Sequence, residues 1–119
     1  MESVEQILTK FAIRDDAFIQ RVLAGDDESS VALSALDAKT HALARVATLI
    51  ALDAATPSYI WAIESAHEAG ASDHEIVGCL VAVLPATGVA RVVSAAPKIG
   101  LVLGYDVGEV LEDSGALLP

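Results

Sequence analysis

The chain has 119 residues, 54% of them hydrophobic but only 4% aromatic, and a formal net charge of −10. The acidic balance argues against nucleic acid, whose phosphates call for clustered Lys and Arg, and against anionic membrane surfaces. Cys79 stands alone, which excludes an intrachain disulfide, a Cys-x-x-Cys redox pair and a cysteine zinc cluster.

The length suits a single domain spanning residues 1–119. Its apolar content is mostly Ala, Val, Leu and Ile, and small helix formers favour close-packed helices. The mean hydropathy of +0.54 leaves more apolar side chain than a lone domain of this size readily buries, which predicts a homo-oligomer. The start, Met1-Glu2-Ser3-Val4-Glu5, is acidic and lacks an apolar signal core. The longest uncharged apolar stretch, Ile76 to Ala90, is short for a bilayer and holds Pro85 and Gly88. The expectation is a cytoplasmic protein with neither membrane nor nucleic-acid partners.

In chain order, Val4, Ile7, Leu8 and Phe11 have helical spacing within Glu2–Ile13, and Phe18, Ile19, Val22 and Leu23 mark a second short helix over Asp15–Leu23. Gly25-Asp26-Asp27 ends it, with Gly25 as the stop. Ser30 to Ala35 predicts another helical turn. Asp37 is the expected N-cap of the main body. The segment Ala38–Ala55 is apolar on nearly every face, as in a helix buried on most sides. Thr56-Pro57 supplies an N-cap and a proline at the first helical position, and Gly70 stops the helix that follows. Ser72 and Glu75 have capping-box spacing, with Ile76, Leu80, Val83 and Leu84 as one stripe behind them. A further helix follows Gly88, and Pro97 is expected to kink or restart it. The tail from Asp106 carries four acids and no base. No strand pattern, internal repeat or low-complexity linker is visible, so the fold class is all-α. Residues 1–35 form N-terminal helices, 36–104 the core, and 105–119 an acidic tail.

Leu36-Asp37-Ala38-Lys39-Thr40 is followed by the Ala-rich helix. A second helix then ends in Ala69-Gly70-Ala71-Ser72, before Glu75-Ile76 and a long apolar helix closing at Thr87-Gly88. This stretch resembles the carboxymuconolactone decarboxylase family, which includes the alkylhydroperoxidase D-like proteins. It covers a little under half of the chain, and its motif is largely structural. The resemblance implies a compact helical bundle assembled as a trimer, hexamer or dimer-based ring. Redox members use a Glu, a Cys-x-x-Cys and a His. Those positions correspond here to Ala42, to Ala55 and Ser58, and to Ala62; a register one residue earlier gives Ala54, Pro57 and Trp61. None is a Cys, His or Glu, so the resemblance implies a divergent member without peroxidase chemistry, since thiol–disulfide exchange needs a thiolate. Decarboxylase-type members carry a pocket histidine where Ala62 stands.

The remaining chemistry is sparse. His41 and Arg45 share a helix face. Arg45 on an apolar helix needs an anion or a wet cavity. It is either an anchor for a carboxylate ligand or a structural ion pair with Glu64, Asp53 or an acid across a subunit boundary. Ser58, Ala62 and Ser65 lie on the face matching the family's reactive residues, as a small hydroxyl-lined pocket or as plain helix packing. Tyr59 and Trp61 either line that pocket or pack in a core or interface. His67 and Glu64 are spaced to touch, as a general base or a surface pair. His74 sits in a solvated capping segment. Cys79 is expected to be a buried, inert thiol. Arg91 is expected to meet a helix C-terminus or a tail acid. The histidines have no metal-ligand spacing, and no metal or cofactor is expected. The candidate ligand residues are therefore His41, Arg45, Ser58, Trp61 and Ser65. Three functions compete: a binder of a small carboxylate or apolar ligand, a cofactor-free decarboxylase or isomerase of a carboxylated lactone-like substrate, and a non-catalytic structural or interaction oligomer.

Overall fold

A computed structural model describes residues 2–105 and 107. Among these residues there are seven α-helices and no strand, the predicted all-α class. The chain divides into two units, residues 1–38 and 39–119.

The first unit holds α1 (Val4–Ala12), α2 (Asp16–Ala24) and α3 (Asp27–Ser34). Each begins at a side-chain cap. The Ser3 hydroxyl accepts the Gln6 backbone N–H, and the Gln6 side chain accepts from Ser3 in return. The carboxylates of Asp15 and Asp26 accept from the backbone of Phe18 and Ser29. Each such bond satisfies a donor that the first helical turn cannot, and contributes about 1 kcal/mol. The Asp26 cap explains why α3 begins three residues before the expected Ser30. Gly25 ends α2 but not by a left-handed turn, since its φ is −70°. A Cβ there would sit 3.1 Å from that of Ser29, so close approach is what calls for glycine. Phe18 is this unit's one buried apolar residue among those described. Phe11 meets it edge-on at 4.9 Å between centroids, and Lys10 and Arg21 each lie 5.4 Å from its ring centre. Both cations also reach Glu2, at 2.9 and 2.6 Å.

The second unit is built from α4 (Ala38–Ala51), α5 (Thr56–Glu68), α6 (Asp73–Thr87) and α7 (Val89–Leu103). The expected α4 overran by four residues. Asp53 takes a left-handed conformation, φ 54°, and its carboxylate is tied to α7 by Ser94 Oγ at 2.6 Å, Arg91 at 3.3 Å and Lys98 at 3.4 Å. Those three bonds hold their carboxyl below the usual range, the Ser94 bond first. Arg91, third in α7, pairs with Asp53, two residues past the end of α4; the expected tail acids lie outside the described residues. α5 starts one residue earlier than expected, with Ala55 at the cap position and no side-chain cap bond. Gly70, φ 91°, makes the turn to α6. The Ser72–Glu75 capping box closes in both directions. Pro97 neither restarts nor ends α7, which runs through it as one helix. Ser94 and Lys98, on either side of that proline, are both fastened to Asp53, and Ala95 and Ile99 are buried.

The core of this unit includes Val46, Ile50, Tyr59, Ile63, Ile76 and Ile99. α7 packs against α5 and α6. α4 buries Ala42, Val46 and Ile50, a single stripe at spacing four, rather than most of its circumference as expected. Its other apolar residues remain half-buried or exposed. Among the described residues no helix is long and apolar enough to cross a membrane. The acidic tail beyond Val107 lies outside the described residues.

Candidate functional site

The helical period fixes what α4 and α5 can present to each other. On α4 the buried stripe of Ala42, Val46 and Ile50 leaves His41 and Arg45 beside it, one turn apart and half-buried. On α5 the buried set is Tyr59, Ala62, Ile63 and Ala66. Ser58, Trp61 and Ser65, at i, i+3 and i+7, then share the flanking face. Ser58 is exposed, Ser65 is half-buried, and Trp61 is 51% exposed.

Arg45 and Trp61 meet. The guanidinium carbon lies 5.3 Å from the indole centroid, within the roughly 6 Å reach of a cation–π contact, which contributes about 0.5–1 kcal/mol at exposed sites and ~2 when desolvated. The contact joins the His41–Arg45 face of α4 to the Ser58–Trp61–Ser65 face of α5. Arg45 is not sunk in an apolar interior, so the desolvation cost expected from its neighbours in sequence is reduced. Asp53, one of its expected acid partners, is engaged with α7 instead.

Of the two alternatives for the Ser58–Ala62–Ser65 face, Ala62 shows packing rather than a pocket. Ala62 is 1% exposed and belongs to the core, so no water-sized space opens at it. Ala42 is also buried. Tyr59 is fully buried, and its hydroxyl has no hydrogen-bond partner among the described residues. Burial, and secondarily the charge of Asp53, pushes the pKa of that hydroxyl up.

Two arrangements escaped the sequence reading. His67 does not pair with Glu64 on its own helix. Its Nε2 lies 2.7 Å from Asp73 Oδ1, across the Gly70 turn. Asp73, an acid in the first turn of α6, complements that helix's dipole. The capping box that fixes Asp73 at the start of α6 was the available signal. Asp73, His74, Val77 and Tyr105 also line a recess of about 180 Å³.

The second is an open apolar recess of about 400 Å³ between α4 and α6, lined by Leu43, Ala44, Ala47, Gly78, Cys79 and Ala82, with Thr40 and Glu75 at its rim. Cys79 is buried as expected. Its Sγ lies 3.6 Å from the Leu43 carbonyl and 3.7 Å from that of Glu75. Burial pushes the thiol pKa up, which keeps the nucleophilic thiolate scarce at neutral pH. Among the described residues no three His, Cys, Asp or Glu side chains are grouped to hold a metal ion. No family model, curated protein or solved structure matches this chain.

Proposed function

We propose that the chain is a divergent carboxymuconolactone decarboxylase-like protein, without peroxidase chemistry, that works as a homo-oligomer and binds a small carboxylate at Arg45 and Trp61. The observation that carries this reading is the guanidinium resting over a half-exposed indole ring. A guanidinium is planar and holds five N–H donors in a fixed fork. Two of those donors can match the two oxygens of a carboxylate. The indole beside them offers a flat apolar surface to the rest of the ligand. His41, Ser58 and Ser65 supply further donors from the same two helix faces. The absence of a redox relay follows from Ala42, Ser58 and Ala62 at the corresponding positions, and the high thiol pKa of Cys79 is in keeping with it.

Thermal melts with a panel of acetate, succinate and benzoate test the reading. A ligand that binds the folded state raises Tm by mass action. The native protein should melt higher with at least one of these anions, and Arg45→Met should not respond. Equal responses from both proteins, or none from the native one, would contradict it.

A further inference from the structure

Within the second unit, backbone strain falls on the joint between α4 and α5. Every other described residue of this unit with a positive φ is a glycine, Gly70, Gly88 or Gly104, whereas Asp53 holds φ 54° with a side chain attached. The N–H of Asp53 donates to the Ile50 carbonyl at 3.2 Å, and that of Ala54 to the Leu49 carbonyl at 3.0 Å. In that helix-ending pattern the left-handed position usually falls to glycine. Aspartate tolerates the left-handed region better than most residues, but only glycine enters it at no steric cost. A strained residue persists where its surroundings fix it, and such residues gather at functional sites.

The Asp53 side chain is fully engaged. Ser94 Oγ donates to its carboxylate at 2.6 Å, and Arg91 and Lys98 pair with it at 3.3 and 3.4 Å. Lys98 also donates to the Ala54 carbonyl at 2.9 Å. Arg91, Ser94 and Lys98, at i, i+3 and i+7, share one face of α7, the helix that packs against α5 and α6. The joint is thus clasped to a helix that two others hold in place.

The clasp lies midway between the two halves of the candidate site. Arg45 stands eight residues before Asp53, and Trp61 eight after it. α4 ends six residues beyond Arg45, and α5 begins five before Trp61. Arg45 is therefore about 9 Å along its helix from the joint at 1.5 Å per residue, and a change of about 10° in the angle there moves it by roughly 1.5 Å. The stack has less to spare. The guanidinium carbon is 5.3 Å from the ring centroid, and such contacts reach to about 6 Å. α4 resists that swing poorly by itself. It buries one narrow stripe, Ala42, Val46 and Ile50. The ion pair toward its other end, Lys39 to Glu75 at 3.1 Å, is exposed and screened.

We propose that Asp53 is the positioning residue of the Arg45–Trp61 site: its clasp to α7 sets the angle between α4 and α5 at which the guanidinium meets the indole. This rests on the site proposed above, and its test reads the stack without a ligand. The ring current of Trp61 displaces the proton resonance of the Arg45 Nε–H, and Trp61→Leu sets the undisplaced position. Asp53→Gly keeps the left-handed turn and removes the clasp. It should lose at least half of the displacement with its helical circular dichroism intact. Lys39→Met, which removes the exposed pair toward the other end of α4, should keep nearly all of it. An unchanged displacement in Asp53→Gly overturns the proposal. So does an equal loss in Lys39→Met, which makes general loosening of α4 the cause. A native protein with no displacement overturns the proposal and the site together. The expected pattern in a protein that binds no carboxylate overturns the ligand and leaves the positioning role standing. Should Asp53→Gly lose its helical signal, Ser94→Ala combined with Lys98→Met removes two of the three bonds from the α7 side and is read in the same way. If that variant unfolds as well, the role of Asp53 is structural and the proposal is overturned.

Discussion

The two units solve the same problem by different means. Residues 39–105 bury a dozen apolar side chains, eleven from the four helices and Ala71 from the α5–α6 turn. Residues 2–38 bury Phe18 alone and leave Val4, Leu8, Phe11, Ile13 and Leu23 more than half exposed. The first unit instead concentrates directional interactions: three side-chain caps, two cations flanking one ring, and a glutamate shared by both cations. Hydrophobic burial scales with area removed from water and resists salt and pH. Exposed ion pairs contribute about 0–1 kcal/mol each and are screened. The comparison teaches that regular helices alone do not report how a segment is held.

The largest effect that would break this contrast lies in the core. Ile76 is fully buried at the start of α6, and Ile76→Ala should destabilise by roughly 2–5 kcal/mol through lost transfer energy and a residual cavity. Urea unfolding followed by circular dichroism measures it. A loss below about 1 kcal/mol would mean that the second unit is not held by its core. A smaller effect comes from the joint between α5 and α6. Ser72→Ala removes one half of the capping box and should cost about 1 kcal/mol, read from the same unfolding curves.

Acid sharpens the contrast without mutation. Lys10, and then Arg21, hold the Glu2 carboxyl below the usual range. A depressed acid adds stability above its unfolded pKa, about 4.3 for Glu, and that contribution is lost as pH falls through the lower folded value. Amide exchange below about pH 4 should therefore show α1 and α2 losing protection before α5 and α7. The Asp53 carboxyl is depressed too, but the helices it links also share the core. Simultaneous loss in both units would contradict the contrast. The smallest effect belongs to Tyr59. Its hydroxyl has no partner among the described residues, so Tyr59→Phe should change stability by less than ~1 kcal/mol, in either direction.

What the sequence made legible was local. Ser72 and Glu75, Gly70 and the helical spacing of apolar residues each signal within four positions, and the helices follow them. The end of α4 was not legible. Ala51, Leu52, Ala54 and Ala55 all suit a helix, and the stop comes from Asp53 being held by residues 38 to 45 positions later. Pro97 does not restart α7, which runs through it as one helix with Ser94 and Lys98 on either side tied to Asp53. At the candidate site, Arg45 was visible as a lone cation among apolar neighbours. Its contact with Trp61 was not, because i, i+3 and i, i+4 reasoning works within one helix and this pair spans two. Of the two alternatives at Ala62, helix packing is the one found, because a small side chain allows close packing as readily as it leaves room.

Trp61 is the chain's single tryptophan, so its fluorescence reports on the candidate site without interference. The most direct measurement is a titration of that emission with benzoate and succinate at constant ionic strength, in the native protein and in Arg45→Met. The carboxylate site predicts a saturable change in the native protein that is lost, or weakened at least tenfold, in Arg45→Met. An unchanged spectrum in the native protein, or the same saturable curve in both, would contradict it.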